Sequence, residues 1–154
     1  MKSFQDMKRI ITLTLLLLIA AYCSPTVTAQ TETQKVELCT KVAGGATLLS
    51  YYPVQLAAAK DGERASVFRN ATAMRKGNRY RFTICTDEES SGEAIIQLYD
   101  EGKLIHSSYN PETGKSYQNF DFDCNKSGFY IIMISFRDGK EGSAVGIVSH
   151  VKTL

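Results

Sequence analysis

The chain has little of what a catalytic centre needs. Its 154 residues include two histidines, His106 and His150, in separate segments, and four cysteines without CxxC or Cys/His spacing; that spacing excludes a recognisable zinc site. No G-x-S-x-G elbow is present. His106 adjoins Ser107 and Ser108, but neighbours on a strand face opposite ways, so only Ser108 shares its side. No orienting group completes that pair into a nucleophilic constellation, and the chain reads as a non-enzyme. Long apolar runs are missing as well: residues 10–21 form a run of twelve before Tyr22, Cys23, Ser24 and Pro25 break it, whereas a membrane span takes about 20.

What is present begins with an export address. A leader carrying Lys2, Lys8 and Arg9 runs into that apolar stretch and then into Val27-Thr28-Ala29, the basic, apolar and small-residue succession of a removed signal peptide. Cys23 follows the bulky Tyr22, a poor fit to the small residue of a lipobox. Residues 1–29 are therefore read as a cleaved signal helix, with the mature chain starting near Gln30 in the periplasm or outside the cell, without a transmembrane span. The leader holds three of the 18 basic and one of the 16 acidic residues, leaving 15 of each and no net charge. A neutral domain lacks the positive field that nucleic acid binding requires and the polybasic cluster of an anionic-membrane binder.

About 125 mature residues make a single domain's worth of chain. Residues 30–46, polar and rich in Thr and Gln at the start, read as a flexible N-terminal segment, and residues 47–154 as the folded domain. Pro53 interrupts the apolar stretch 48–59, which marks an edge strand or a short strand after the proline and not a continuous helix. From residue 63 onward, strand-length runs alternate with turn chemistry. Tyr80, Phe82 and Ile84 share one face of a strand; Ala94 to Tyr99 and Leu104 to Tyr109 flank the turn Asp100-Glu101-Gly102-Lys103 as a hairpin. Phe120, Phe122 and Cys124 point one way, and Asn119, Asp121 and Asp123 the other. Residues 129–136 are apolar on both faces, the pattern of a central strand covered from both sides or lying deep in a sandwich. Seven or eight such strands, with no amphipathic helix in the mature part, predict an all-β, antiparallel, jelly-roll-like β-sandwich.

Three stretches carry a resemblance: Arg75-Lys76-Gly77-Asn78-Arg79-Tyr80-Arg81-Phe82, then Ile96-Gln97-Leu98-Tyr99-Asp100-Glu101-Gly102, then Gly128-Phe129-Tyr130-Ile131-Ile132. Their succession resembles the "K-G-x-x-Y-x-F", "L-x-D-x-x-G" and "G-x-Y-x-I" strands of pre-peptidase C-terminal-type sandwich domains, and the chain is also similar to small uncharacterised exported proteins of Gram-negative bacteria. The resemblance implies a module that accompanies secreted enzymes or binds extracellular polymers, though no protease or glycosidase domain accompanies it here.

Candidate binding groups are few. Asp121 and Asp123 share a strand face, and with Asp100 and its neighbour Glu101 they offer oxygen ligands for calcium, without the D-x-[DN]-x-[DN]-G loop; otherwise no cofactor is indicated. Tyr109 and Tyr117 flank the Asn110-Pro111 loop and are the tyrosines placed to stack on a sugar ring. Cys39, Cys85 and Cys124 allow one disulfide in three pairings. The basic segment holding Arg75, Lys76, Arg79 and Arg81 and the acidic segment from Asp87 to Glu101 read as solvated strand edges that neutralise each other. Two functions follow: a protein that acts by protein–protein interaction or assembly at the bacterial cell envelope, or a glycan-binding accessory module of a secreted system. The first needs a contiguous apolar patch or an open edge strand, the second an exposed aromatic platform beside a groove.

Overall fold

A computed structural model describes residues 31–154; the leader and Cys23 lie outside the described residues. Ten strands follow one helix: α1 (Glu32–Val42), β1 (Thr47–Leu56), β2 (Phe68–Met74), β3 (Asn78–Thr86), β4 (Ala94–Asp100), β5 (Lys103–Ser107), β6 (Tyr109–Asn110), β7 (Lys115–Ser116), β8 (Asn119–Cys124), β9 (Gly128–Phe136) and β10 (Gly142–Thr153). Eight of them form two four-stranded antiparallel sheets, ordered β1-β10-β3-β8 and β2-β9-β4-β5, and β6 with β7 makes a small ribbon. Apart from the β4–β5 hairpin, successive strands of the two sheets alternate between them, so chain neighbours such as β2 and β3 face each other across the core. This is the jelly-roll sandwich that the alternation predicts.

The period-2 pattern decides the core. Tyr80, Phe82 and Ile84 of β3 and Phe122 and Cys124 of β8 meet Ile96 and Leu98 of β4 and Tyr130, Ile132, Ile134 and Phe136 of β9 in one apolar cluster. Phe82, Ile96, Leu98, Ile132 and Ile134 have no accessible surface. Gly146 of β10 keeps the layers close: a Cβ there would sit 2.5 Å from Ile134 Cδ1. Pro53 sits in β1 at the sheet edge, where the missing N–H breaks no ladder on the open side. The β4–β5 turn places both Glu101 (φ 49°) and Gly102 (φ 81°) in the left-handed region, as a tight two-residue hairpin requires.

Two expectations are corrected. The segment 30–46, read as flexible, contains α1. Thr31 Oγ1 accepts from the Gln34 N–H and the Gln34 side chain accepts from the Thr31 N–H, a capping box that satisfies two of the donors a helix start leaves free. The helix docks on the outer face of the β1-β10-β3-β8 sheet, where Val36 and Cys39 pack on Val145 and Ile147. The second correction concerns β9, which is the central sandwich strand expected but is not covered on both sides. Its Tyr130, Ile132, Ile134 and Phe136 are buried, but Phe129 is 75% exposed and Ile131 and Met133 are half-buried. No described element lies over that side of the sheet.

Candidate functional site

The outer face of the β2-β9-β4-β5 sheet is apolar by register. One rung runs across all four strands: Ala71 opposite Ile131, Ile131 opposite Tyr99, and Tyr99 opposite Leu104. Ala73 opposes Phe129 on one side of it, and Met133 lies between Arg69 and Gln97 on the other. Phe129 and Leu104 are exposed, at 75% and 44%. Isolated exposed apolar residues are ordinary on a protein surface, whereas a rung of them continued by a phenylalanine and a methionine forms a contiguous patch. Charged groups stand at its margin: Lys126 Nζ lies 2.7 Å from Glu101 Oε1 and 3.4 Å from Asp100 Oδ2, and that contact holds the Glu101 carboxyl below its usual range.

The other sheet's outer face is covered and cross-linked. Cys39 and Cys85 form a disulfide with Cα atoms 5.8 Å apart, which selects one of the three pairings and fastens α1 to β3. Lys35 pairs with Asp87 near the start of the helix. Near its end, Arg81 Nη1 donates to the Ala43 carbonyl at 3.1 Å. Arg81 also makes a two-pronged contact with Asp121, at 2.7 and 2.9 Å, and Arg79 does the same with Asp123. Both carboxyls are held below their ordinary range, chiefly by these hydrogen bonds, against the opposing effect of burial. Asp121 and Asp123 do share a face as expected, and each is met by an arginine directly across the ladder. Asp100 stands on the opposite sheet with Lys126. Among the described residues no three His, Cys, Asp or Glu side chains converge as a metal site requires.

The remaining candidates are dispersed. Tyr109 is half-buried under Arg137, whose guanidinium carbon lies 5.7 Å from the ring centre. Tyr117 is exposed and lines a shallow cleft of about 410 Å³ with Glu93, Ser116 and Gln118, which Tyr109 does not reach. Ser108 is buried and its Oγ accepts from the Ile96 N–H at 3.0 Å, while His106 stacks on Phe120 with ring centres 5.3 Å apart; the serine is thus committed to the backbone of β4. Cys124 is a buried free thiol that donates to the Lys126 carbonyl, and burial with this thiol as neighbour pushes the Tyr130 phenol up to about 12. The sequence reading missed the apolar face as a site. Its signal lies in the alternate residues Phe129, Ile131 and Met133, which are apolar on the side away from the core.

No protein-family model matches the chain, and no curated protein matches it in sequence. Among solved structures, the fold is similar to the crystal structure of Aeromonas hydrophila PliG, a periplasmic lysozyme inhibitor of g-type lysozyme; the TM-score is 0.50 at 13% identity, over 70% of this chain and 89% of that one. The likeness is one of fold, and the neighbour is a lysozyme inhibitor and not a pre-peptidase C-terminal domain.

Proposed function

We propose that this chain is an exported, non-enzymatic binding protein that holds a protein partner against the apolar outer face of the β2-β9-β4-β5 sheet. The observation that carries the reading is the uncovered rung Ala71–Ile131–Tyr99–Leu104 with Phe129 beside it. The outer face of a sheet, spread over four strands, suits another protein's surface better than a small ligand, which needs a concave site. A disulfide in a chain with a signal-like leader fits an oxidising compartment. That the structural neighbour is a periplasmic inhibitor of g-type lysozyme supports a protein as the partner class, and g-type lysozyme is the first probe. The polymer-binding alternative calls for tyrosines on a common platform, but Tyr109 opposes Ser116 across the β6–β7 ribbon, which puts the next residue, Tyr117, on the ribbon's other face.

The test pairs Phe129→Ser and Ile131→Lys with the parent in a binding titration against g-type lysozyme, and against any partner cross-linked to the parent protein in the envelope. A buried apolar anchor contributes about 2 kcal/mol or more to an interface, roughly 30-fold in affinity. Each variant is expected to lose at least tenfold while still unfolding in a single cooperative transition. Partner binding unchanged in both variants overturns the assignment of this face.

A further inference from the structure

A sandwich has four edge strands, and their protection differs. An open edge presents unpaired N–H and C=O groups, and proteins blunt such edges with proline, bulges, charges or shortness. Here β1 carries Pro53 and a register shift between Leu48 and Ser50. The edge strand β5 has five residues, begins with Lys103, and faces a register shift between Leu98 and Tyr99. On β8, Asp121 and Asp123 place a carboxylate at every second residue. The fourth edge, β2, has the least of this protection. It pairs with β9 through seven consecutive residues without a shift, contains no proline, and bears a single charge, Arg69. Ala71 and Ala73 are exposed beside it, and among the described residues no backbone group of β2 bonds to any segment other than β9.

We infer that β2 is a self-association edge, through which two copies of this chain pair antiparallel about Ala71 and fuse their sheets. Pairing centred there sets Ala71 against Ala71, Arg69 against Ala73, Asn70 against Thr72 and Phe68 against Met74, so no like charges meet and the outward side is small enough for close strand approach. The folded part, with 15 charges of each sign once the leader is removed, does not repel its own copy. Area favours a second copy over a lone domain. At about 4.8 Å between strands and 3.3 Å per residue, one outer face presents roughly 450 Å², about half the 800 Å² per partner of a standard interface. Joining two copies along β2 brings both Ile131 residues toward one seam and doubles the apolar platform. The inference extends the proposed binding face, but its readout, the mass of the protein alone, does not depend on any partner.

The experiment is sedimentation equilibrium on protein exported with its own leader, up to about 100 µM. The parent is expected to be dimeric. Ala71→Lys, which sets two lysines against each other at the axis, and Ala71→Glu, which does the same with carboxylates, are each expected to be monomeric, and their equimolar mixture to recover the dimer. Ala71 is exposed, so thermal melting of each variant separates lost pairing from lost folding. A parent that stays monomeric overturns the inference. So does a dimer that survives both substitutions, or a folded pair of variants whose mixture remains monomeric.

Discussion

The two sheets of this sandwich end in opposite ways on their outer sides. On one, Val145 and Ile147 lie under α1, fastened by a disulfide and by charged contacts at both ends of the helix. On the other, Ile131, Met133 and Phe129 occupy comparable outward positions with nothing described over them. Apolar residues point outward on both sheets, so the difference does not lie in the strand pattern. It lies in a short polar segment ahead of β1 that was stapled over one face and has no counterpart for the other. A contiguous apolar face left bare where its twin is covered is the contrast on which the proposed binding face rests.

The largest expected effect comes from cutting the staple. The Cys39–Cys85 bond closes a loop with a sequence separation of 46, which by chain entropy corresponds to roughly 4 kcal/mol, with native-state effects able to reduce it. Cys39→Ala with Cys85→Ala is expected to lower unfolding stability by about 2–4 kcal/mol in urea. The helix keeps only Val36 and its polar ties, so protease cleavage within residues 31–46 should appear before global unfolding. A double variant with parental stability and an uncut helix would show that α1 is held by packing alone.

A paired truncation sharpens the contrast. Ile147 has no accessible surface beneath the helix, whereas Ile131 is half-buried on the open face. Ile147→Ala is expected to cost about 2–4 kcal/mol, and Ile131→Ala less than about 1.5 kcal/mol. Equal losses in a denaturant titration would mean that something covers the open face in the isolated protein.

How much of this could be read from the chain depends on which residues are neighbours in space. Alternation placed the core of β3 and β8 and turn chemistry the β4–β5 hairpin correctly, because side-chain direction within a strand is a local property; β9, apolar on both faces, gave no such sign of which side is covered. The helix escaped notice because its sequence, ETQKVELCTKV, is polar and buries little beyond Val36 and Cys39; the Thr31-x-x-Gln34 box was the available sign. The charges misled for a topological reason. Sequence order suggests that the basic segment with Arg79 and Arg81 neutralises the acidic segment that follows it, but in a jelly roll β3 and β4 lie in different sheets, and β3 is paired with β10 on one side and β8 on the other. Asp121 and Asp123, considered as calcium ligands, are those partners. The bareness of the β2-β9-β4-β5 outer face depends on where α1 docks, which no local pattern encodes.

The smallest effect tests the charged tie on the covered side. Folding lowers the Asp121 carboxyl from its ordinary value of 3.8, mainly through its hydrogen bonds from Arg81, and Arg81 in turn holds the Ala43 carbonyl at the end of α1. Because the folded-state value is the lower one, the unfolded chain takes up the proton first as the solution is acidified. The stabilisation is therefore complete above pH about 4 and is lost as pH falls through the depressed value. The pair is partly exposed, so screening limits its contribution to about 1 kcal/mol or less. Asp121→Asn is expected to lower stability by that amount at pH 7 and by progressively less as the solution is acidified below pH about 4, flattening the acid limb of the curve, with earlier protease access at the helix end. An acid limb identical to the parent's would mean that Arg81 supports the covered face through the Ala43 carbonyl without help from the carboxylate.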